Sequence, residues 1–214
     1  MKKLFAFSLL LSSSALAFGQ SLPPSNAERN LQITVWVSNR VHMPPRNLAQ
    51  VEQVATQILR RAGVQAVWLD CTMVAAGHPQ PACDHPFGPT DLSLKFVEEI
   101  QSLSPKMKGI TLGLTPGADG GGRGDKAYAA YIYISNRRAH DVATECEASA
   151  EMVLGLAAVH EIGHLLTGSG EHSRSGLMRA QWDAKDLERA ARGDLQFTDN
   201  QVKKLHAGVL ARME

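Results

Sequence analysis

Two histidines and a glutamate lie close together in the stretch His160-Glu161-Ile162-Gly163-His164. If this stretch is helical, the histidines are four residues apart on one face, where both imidazoles can bind one zinc ion at about 2.0 to 2.1 Å. Zinc lowers the pKa of a bound water toward about 7, and the carboxylate of Glu161 can act as general base when that water attacks a carbonyl. The spacing therefore predicts a hydrolytic zinc site.

A catalytic zinc site needs a third protein ligand and an open position for water. We expect the helix to end at Thr167 to Gly168, after which a glycine-containing turn brings the chain back toward the metal. Two candidate ligands follow that turn, Glu171 and His172. His172 is the preferred third ligand, and Glu171 or a more distant carboxylate is the alternative.

The segment Ala150–Thr167 has the length, the helix-forming residues and the lack of proline expected of a buried helix. Two histidines and an acid in such an apolar helix would be unfavourable to bury without partners. Metal coordination supplies those partners, which favours a metal site over a chance occurrence of the motif.

The other sequence patterns predict an α+β fold, with one mixed twisted sheet packed on the site helix and a last helix at the C-terminus. A first long helix is expected to begin near Pro45 and to stop at Gly63, and the last helix to open at the capping box that starts at Thr198. The glycine-rich residues 113–124 are predicted to form a mobile surface loop. The predicted strands cover residues 31–37, 64–71, 91–97 and 127–135.

The first twenty residues have the order of a secretory signal: Met1-Lys2-Lys3, an apolar run from Leu4 to Leu11, and Ala15-Leu16-Ala17. We expect residues 1–20 to be removed and residues 21–214 to form one domain. No later segment is long and apolar enough to span a membrane. These features predict a secreted or periplasmic protein that leaves the membrane after signal cleavage.

The charge balance narrows the possible binding partners of the protein. The chain has 22 Lys+Arg and 21 Asp+Glu, and loss of two signal lysines leaves a net charge near −1 with no basic run, which argues against nucleic-acid binding. We expect a monomer that acts on a peptide or protein substrate. The remaining histidines have no partner spacing and are expected at the surface: His42, His78, His85, His140 and His206. The alternating pattern of their strand explains Tyr131 and Tyr133, which are left out of the catalytic set.

Three cysteines are present. Export would permit a disulfide, and Cys71 and Cys83 are the natural pair because they bracket a short loop with little core of its own. Cys146 is then left over, and it is expected to be a half-buried free thiol just before a helix rather than a nucleophile.

The stretch from His160 to His172, followed by the turn Ser175-Gly176-Leu177-Met178, resembles the metzincin clan of zinc peptidases. The usual metzincin pattern has its glycine one residue before Gly168 and its third histidine two residues before His172. Together with the VWLDC stretch and the signal, the chain is more similar to a group of small secreted bacterial proteins classed as metalloproteases. The resemblance implies a zincin-like fold and places Met178 beneath the metal.

These observations predict a secreted zinc-dependent metallopeptidase with one Zn²⁺ held by His160, His164 and His172 and with Glu161 as general base. Two alternatives remain. One is a non-catalytic zinc-binding protein whose fourth ligand, such as Glu171, closes the site. The other is a zinc hydrolase that acts on a non-peptide amide.

Overall fold

The computed structural model describes residues 30–72, 83–84, 86–100, 112–115, 131–168, 170 and 172–214. Five strands and five helices lie within these ranges. In chain order they are β1 (Gln32–Asn39), α1 (Pro45–Arg61), β2 (Gln65–Asp70), β3 (Asp91–Val97), β4 (Gly113–Leu114), β5 (Tyr131–Ser135), α2 (Asn136–Glu145), α3 (Ala150–Thr167), α4 (Ala184–Ala191) and α5 (Asp199–Met213).

The strands form one sheet in the order β2-β1-β3-β5-β4. The first four of these are parallel to their neighbours, and β4 runs antiparallel to β5 at the edge. The sheet is therefore mixed, as predicted. The α+β prediction is confirmed only in coarser form, because parallel strands need crossover connections, such as α1 between β1 and β2, and the result is a mixed α/β domain.

One face of the sheet builds the core. Along β1, β3 and β5 every second side chain is buried, as the two-residue period of a strand requires. These side chains form a single apolar cluster with residues of α1 and α3. The inward-facing strand residues are Ile33, Val35, Val37, Leu92, Leu94, Phe96, Ile132 and Ile134.

The helix α3 lies inside the domain because it is apolar on all sides, and its residues 153–166 are buried. The Ser149 side chain accepts a hydrogen bond from the amide of Met152 and caps its first turn. At the other end Gly168 adopts a left-handed conformation with φ +62°, which terminates the helix. Both ends match the sequence prediction.

The prediction of a surface loop over residues 113–124 is wrong at its start. Gly113 and Leu114 form the edge strand β4, and Leu112 accepts a hydrogen bond from the amide of Ser135 at 2.9 Å. Residues 116–124 of that loop and residues 127–130 of the predicted fourth strand lie outside the described residues. The helices α2 and α4 were not predicted at all.

The predicted disulfide is confirmed between Cys71 and Cys83, and Cys146 is a half-buried free cysteine before α3. Among the histidines expected at the surface, His42 and His140 are exposed, while His78 and His85 lie outside the described residues. The surface prediction for His206 is wrong. Its ring is half-buried and its Nε2 lies 2.6 Å from the carbonyl oxygen of Ala62, which ties α5 to the end of α1.

Replacing both Cys71 and Cys83 by serine is expected to lower the free energy of unfolding by about 3 kcal/mol. The disulfide joins residues 12 positions apart, and without it the unfolded chain gains the conformational freedom of that loop. Urea unfolding in a non-reducing buffer measures the loss. Cys146→Ser is the control and should cost no more than about 1 kcal/mol, because Cys146 is half-buried against the core and forms no disulfide. Equal stability of the double variant and the parent would show that the crosslink contributes nothing.

No helix in the described parts of the chain combines the length and the apolar character needed to cross a bilayer.

Candidate metal centre

The helix α3 brings two of the predicted ligands together. His160 and His164 are one helical turn apart, and their Nε2 atoms lie 3.0 Å from each other. Their rings meet edge to face with centroids 4.7 Å apart. Both side chains are buried, and their Nε2 atoms converge near the C-terminal end of the apolar helix α3.

The third predicted ligand, His172, follows the end of α3 and lies beside the rings of His160 and His164. Its ring stacks on that of His160 at 5.2 Å and meets the ring of His164 at 5.0 Å. One potential ligand atom from each of the three histidines lies within 4.8 Å of the other two. His172 is exposed, whereas the other two are buried, so the cluster is open to solvent on the His172 side. Glu171, the alternative ligand, lies outside the described residues.

His160 is oriented by the backbone. Its Nδ1 lies 3.0 Å from the carbonyl oxygen of Leu177, and a proton on Nδ1 donated to that oxygen leaves the Nε2 lone pair for a metal. Burial lowers the pKa of His160 to about 4; the Leu177 carbonyl acts in the opposite direction, and the neighbouring histidines His164 and His172 add to the lowering. The imidazole is therefore neutral near pH 7, which is the form that binds metals.

The turn that contains Leu177 lies against the same part of α3. Gly176 adopts a positive φ of +77°, and the amide of Ser173 donates to the carbonyl oxygen of Met178 at 2.7 Å. Met178 is 3% exposed, and its Sδ would lie only 2.6 Å from a Cβ added at Gly163. A glycine just before His164 thus lets the methionine pack directly under the helix backbone.

Trp182 adds a second support to His160. Its Nε1 donates to the Leu177 carbonyl oxygen at 3.0 Å, the oxygen that also faces His160 Nδ1. Its ring lies edge-on to the ring of His160 at 5.6 Å. One carbonyl oxygen therefore fixes both rings relative to the turn.

Glu161 is a buried carboxyl beside the histidines. It is 7% exposed, and burial raises its pKa to about 7, while a hydrogen bond from Thr115 acts in the opposite direction. The Thr115 hydroxyl donates to Glu161 Oε2 at 2.5 Å. A Cβ added at Gly113 would lie 2.5 Å from Glu161 Oε1, so the edge strand approaches the carboxyl at van der Waals distance.

Sequence reasoning missed both Gly113 and Thr115. They flank Leu114 and lie at the start of the stretch that was predicted to be a mobile loop. A strand of two residues is too short to show an alternating pattern, so no local signal in the sequence indicates that Gly113 and Thr115 lie beside Glu161.

His160, His172 and Glu161 line a cavity of about 440 Å³. The lining also includes Trp182 and residues of α2, among them Arg138 and Glu145, which form an ion pair at 3.0 Å. The cavity is large enough to receive part of a substrate next to the three histidines. Tyr131 and Tyr133, which were left out of the catalytic prediction, flank the ammonium group of Lys95 at 5.4 and 5.5 Å.

The chemistry of the three histidine ligands indicates which metal ions they would bind. Three imidazole ligands suit zinc and related divalent transition metals. Three protein ligands next to an open cavity are typical of catalytic zinc sites, whereas structural sites are closed by four. The residues present therefore fit a metal ion of this kind.

No family model matches the chain, and no curated protein matches it. Among solved structures, the chain is similar to a zinc-dependent peptidase from Methanocorpusculum labreanum (strain Z), with 13% identity and a TM-score of 0.49 over 81% of this chain and 99% of that one. It is also similar to a protein from Thermotoga maritima known from a solution structure, with 12% identity and a TM-score of 0.35 over 85% of this chain and 91% of that one.

Proposed function

We propose that this protein is a zinc-dependent peptidase in which His160, His164 and His172 hold the metal and Glu161 is the general base. The observation that carries the proposal is the convergence of three histidine ligand atoms within 4.8 Å of one another, beside a buried carboxyl in the same cavity. A purely structural zinc site does not require that carboxyl.

The chemistry follows from the residues around the cavity. A zinc ion held by the histidines would polarise a peptide carbonyl and acidify a water molecule. Glu161 accepts the proton of the attacking water and returns it to the leaving amine. Burial raises the pKa of Glu161 to about 7 before a metal binds, and the charge of a bound zinc ion would lower it toward the ionised form that accepts a proton. The hydrogen bond from His160 to Leu177 holds the first ligand in the tautomer that this role requires.

A peptide is the substrate class favoured by the position of β4. Within the described residues this strand lies at the end of the sheet, and Gly113 contacts the Glu161 carboxyl. An extended peptide can add to a sheet edge through main-chain hydrogen bonds. Such a peptide would pass the general base, with side chains directed into the cavity.

The proposal also includes the cellular compartment in which the protein works. Residues 1–20 act as a secretory signal, and residues 21–214 form a zincin-like domain that works outside the cytoplasm or in the periplasm as a monomer. The Cys71–Cys83 disulfide supports this, because disulfides persist mainly in oxidising compartments. The substrate is a peptide or protein, with no role for nucleic acid or for a membrane.

Metal analysis of the purified protein tests the metal site. We expect about one zinc per chain, and we expect His160→Ala and His172→Ala each to lose most of it, because three ligands are needed for tight binding. His140→Ala is the matched control, since His140 is an exposed histidine on α2 and should leave zinc content unchanged.

Cleavage of a mixed peptide library by the same samples tests the activity. The parent and His140→Ala should cleave, a chelator should stop cleavage, and added zinc should restore it. Zinc bound in full without any cleavage would favour a structural site. Cleavage that persists without metal would contradict the proposal.

A further inference from the structure

Two residues of the segment 112–115 lie against the carboxyl of Glu161. Thr115, the residue after β4, has its Oγ1 2.5 Å from Glu161 Oε2 and 3.5 Å from the Glu161 backbone oxygen. On the other side of the carboxyl, a Cβ at Gly113 would lie 2.5 Å from Oε1 and 2.6 Å from Cγ. One short segment therefore touches both carboxyl oxygens.

A buried carboxyl needs hydrogen-bond donors, because an unpaired one is unfavourable out of water. Glu161 is 7% exposed, and the hydroxyl of Thr115 supplies a donor to one oxygen. Glutamate also has three side-chain torsions, so its carboxyl must be held from outside if it is to meet a water molecule at a fixed place. Orientation of this kind contributes strongly to rates when a proton has to be transferred.

We propose that Thr115 is a positioning residue for Glu161. Its hydroxyl fixes Oε2 and thereby leaves Oε1, which lies against Gly113, as the oxygen that exchanges the proton with water. The absence of a side chain at Gly113 provides the room for this orientation. This inference rests on the proposed peptidase function, and it adds a residue 46 positions away in sequence that acts through Glu161 and is not one of the proposed metal ligands.

Zinc-loaded Thr115→Val and Thr115→Ser variants of the mature protein test it. Valine keeps the shape of threonine without the donor, and serine keeps the donor without the methyl group. Because a hydrogen bond to a charged group is lost, Thr115→Val should lower kcat by about 10- to 100-fold, with KM and zinc content within about twofold of the parent. Thr115→Ser should keep kcat within about threefold, and Thr115→Ala should resemble Thr115→Val.

A kcat of Thr115→Val equal to that of the parent would overturn the inference. So would an equal loss in Thr115→Ser, because the methyl group rather than the hydroxyl would then matter.

A second readout separates this inference from the proposed function. Infrared spectra of protein carrying ¹³C-labelled glutamate carboxyls, with the spectrum of Glu161→Gln subtracted, give the band of the Glu161 carboxyl. Loss of the hydroxyl bond should move this band in Thr115→Val and leave it in place in Thr115→Ser. If the band moves but the protein cleaves no peptide, the proposed peptidase function is refuted and the contact between Thr115 and Glu161 is supported. An unmoved band would refute the role of Thr115 whatever the activity.

Discussion

Replacing Gly208 by alanine is expected to lower the free energy of unfolding by about 3 kcal/mol or more. The helix α5 crosses α3 so closely that a Cβ at Gly208 would overlap the backbone oxygen of Leu166 and lie 2.7 Å from its carbonyl carbon. A backbone oxygen cannot rotate away as a side chain can. The helices must separate, and the fully buried Leu205 and Val209 of α5 lose part of their packing.

Thermal unfolding of Gly208→Ala measures this loss, and a fall in Tm of about 6 °C or more is expected for a domain of this size. Gly88→Ala is the control, because its Cβ would approach Asp91 only to 3.5 Å, and it should stay within about 1 kcal/mol of the parent. Since Leu166 is two residues beyond His164, Gly208→Ala should also bind zinc more weakly. A variant as stable as the parent would mean that the two helices are not in close contact.

The helix that carries the site was predictable because its signals are local. The apolar residues of α3 are contiguous, and the N-cap Ser149 and the terminating Gly168 lie next to its ends. The pairing of His160 with His164 follows from the helical period alone. His172 was chosen from reach and ligand type, and the structure brings its ring within 5.2 Å of both others.

The parts that were missed depend on contacts between distant residues. Thr115 meets Glu161 across 46 positions, and nothing near Thr115 in the sequence indicates its partner. The β4 strand is two residues long, which is too short to show an alternating pattern. The helix α2 buries only Ala139 and Ala143 in a polar sequence, so its apolar period is weak.

The parallel order of the sheet could not be predicted for a related reason. Strand patterns indicate which side chains are buried, but not which strands are neighbours. β1 pairs in parallel with both β2 and β3, and its inward side chains pack in one core with residues of α1 and α3; this arrangement exists only in the assembled domain.

Replacing Glu161 by glutamine is expected to lower kcat for peptide cleavage by about 100- to 10,000-fold, which is the range for loss of a general base. Glutamine has nearly the same shape and can still accept a hydrogen bond from Thr115 through its amide oxygen. It cannot take a proton from water. Zinc content should stay at the parent level, because Glu161 is not one of the three converging ligands.

The matched control is Glu151→Gln on the same helix. Glu151 lies in the first turn of α3, where it accepts hydrogen bonds from Ser149 and Asn47, and it does not line the cavity with Glu161. Its loss should change stability slightly and leave kcat within about twofold. Steady-state kinetics on one fluorogenic peptide compares the three proteins. Undiminished cleavage by Glu161→Gln with zinc in place would mean that another group takes the proton, and the mechanism proposed for this cavity would be wrong. A loss confined to Glu161→Gln would instead tie the activity to this carboxyl and exclude a contaminating peptidase as its source.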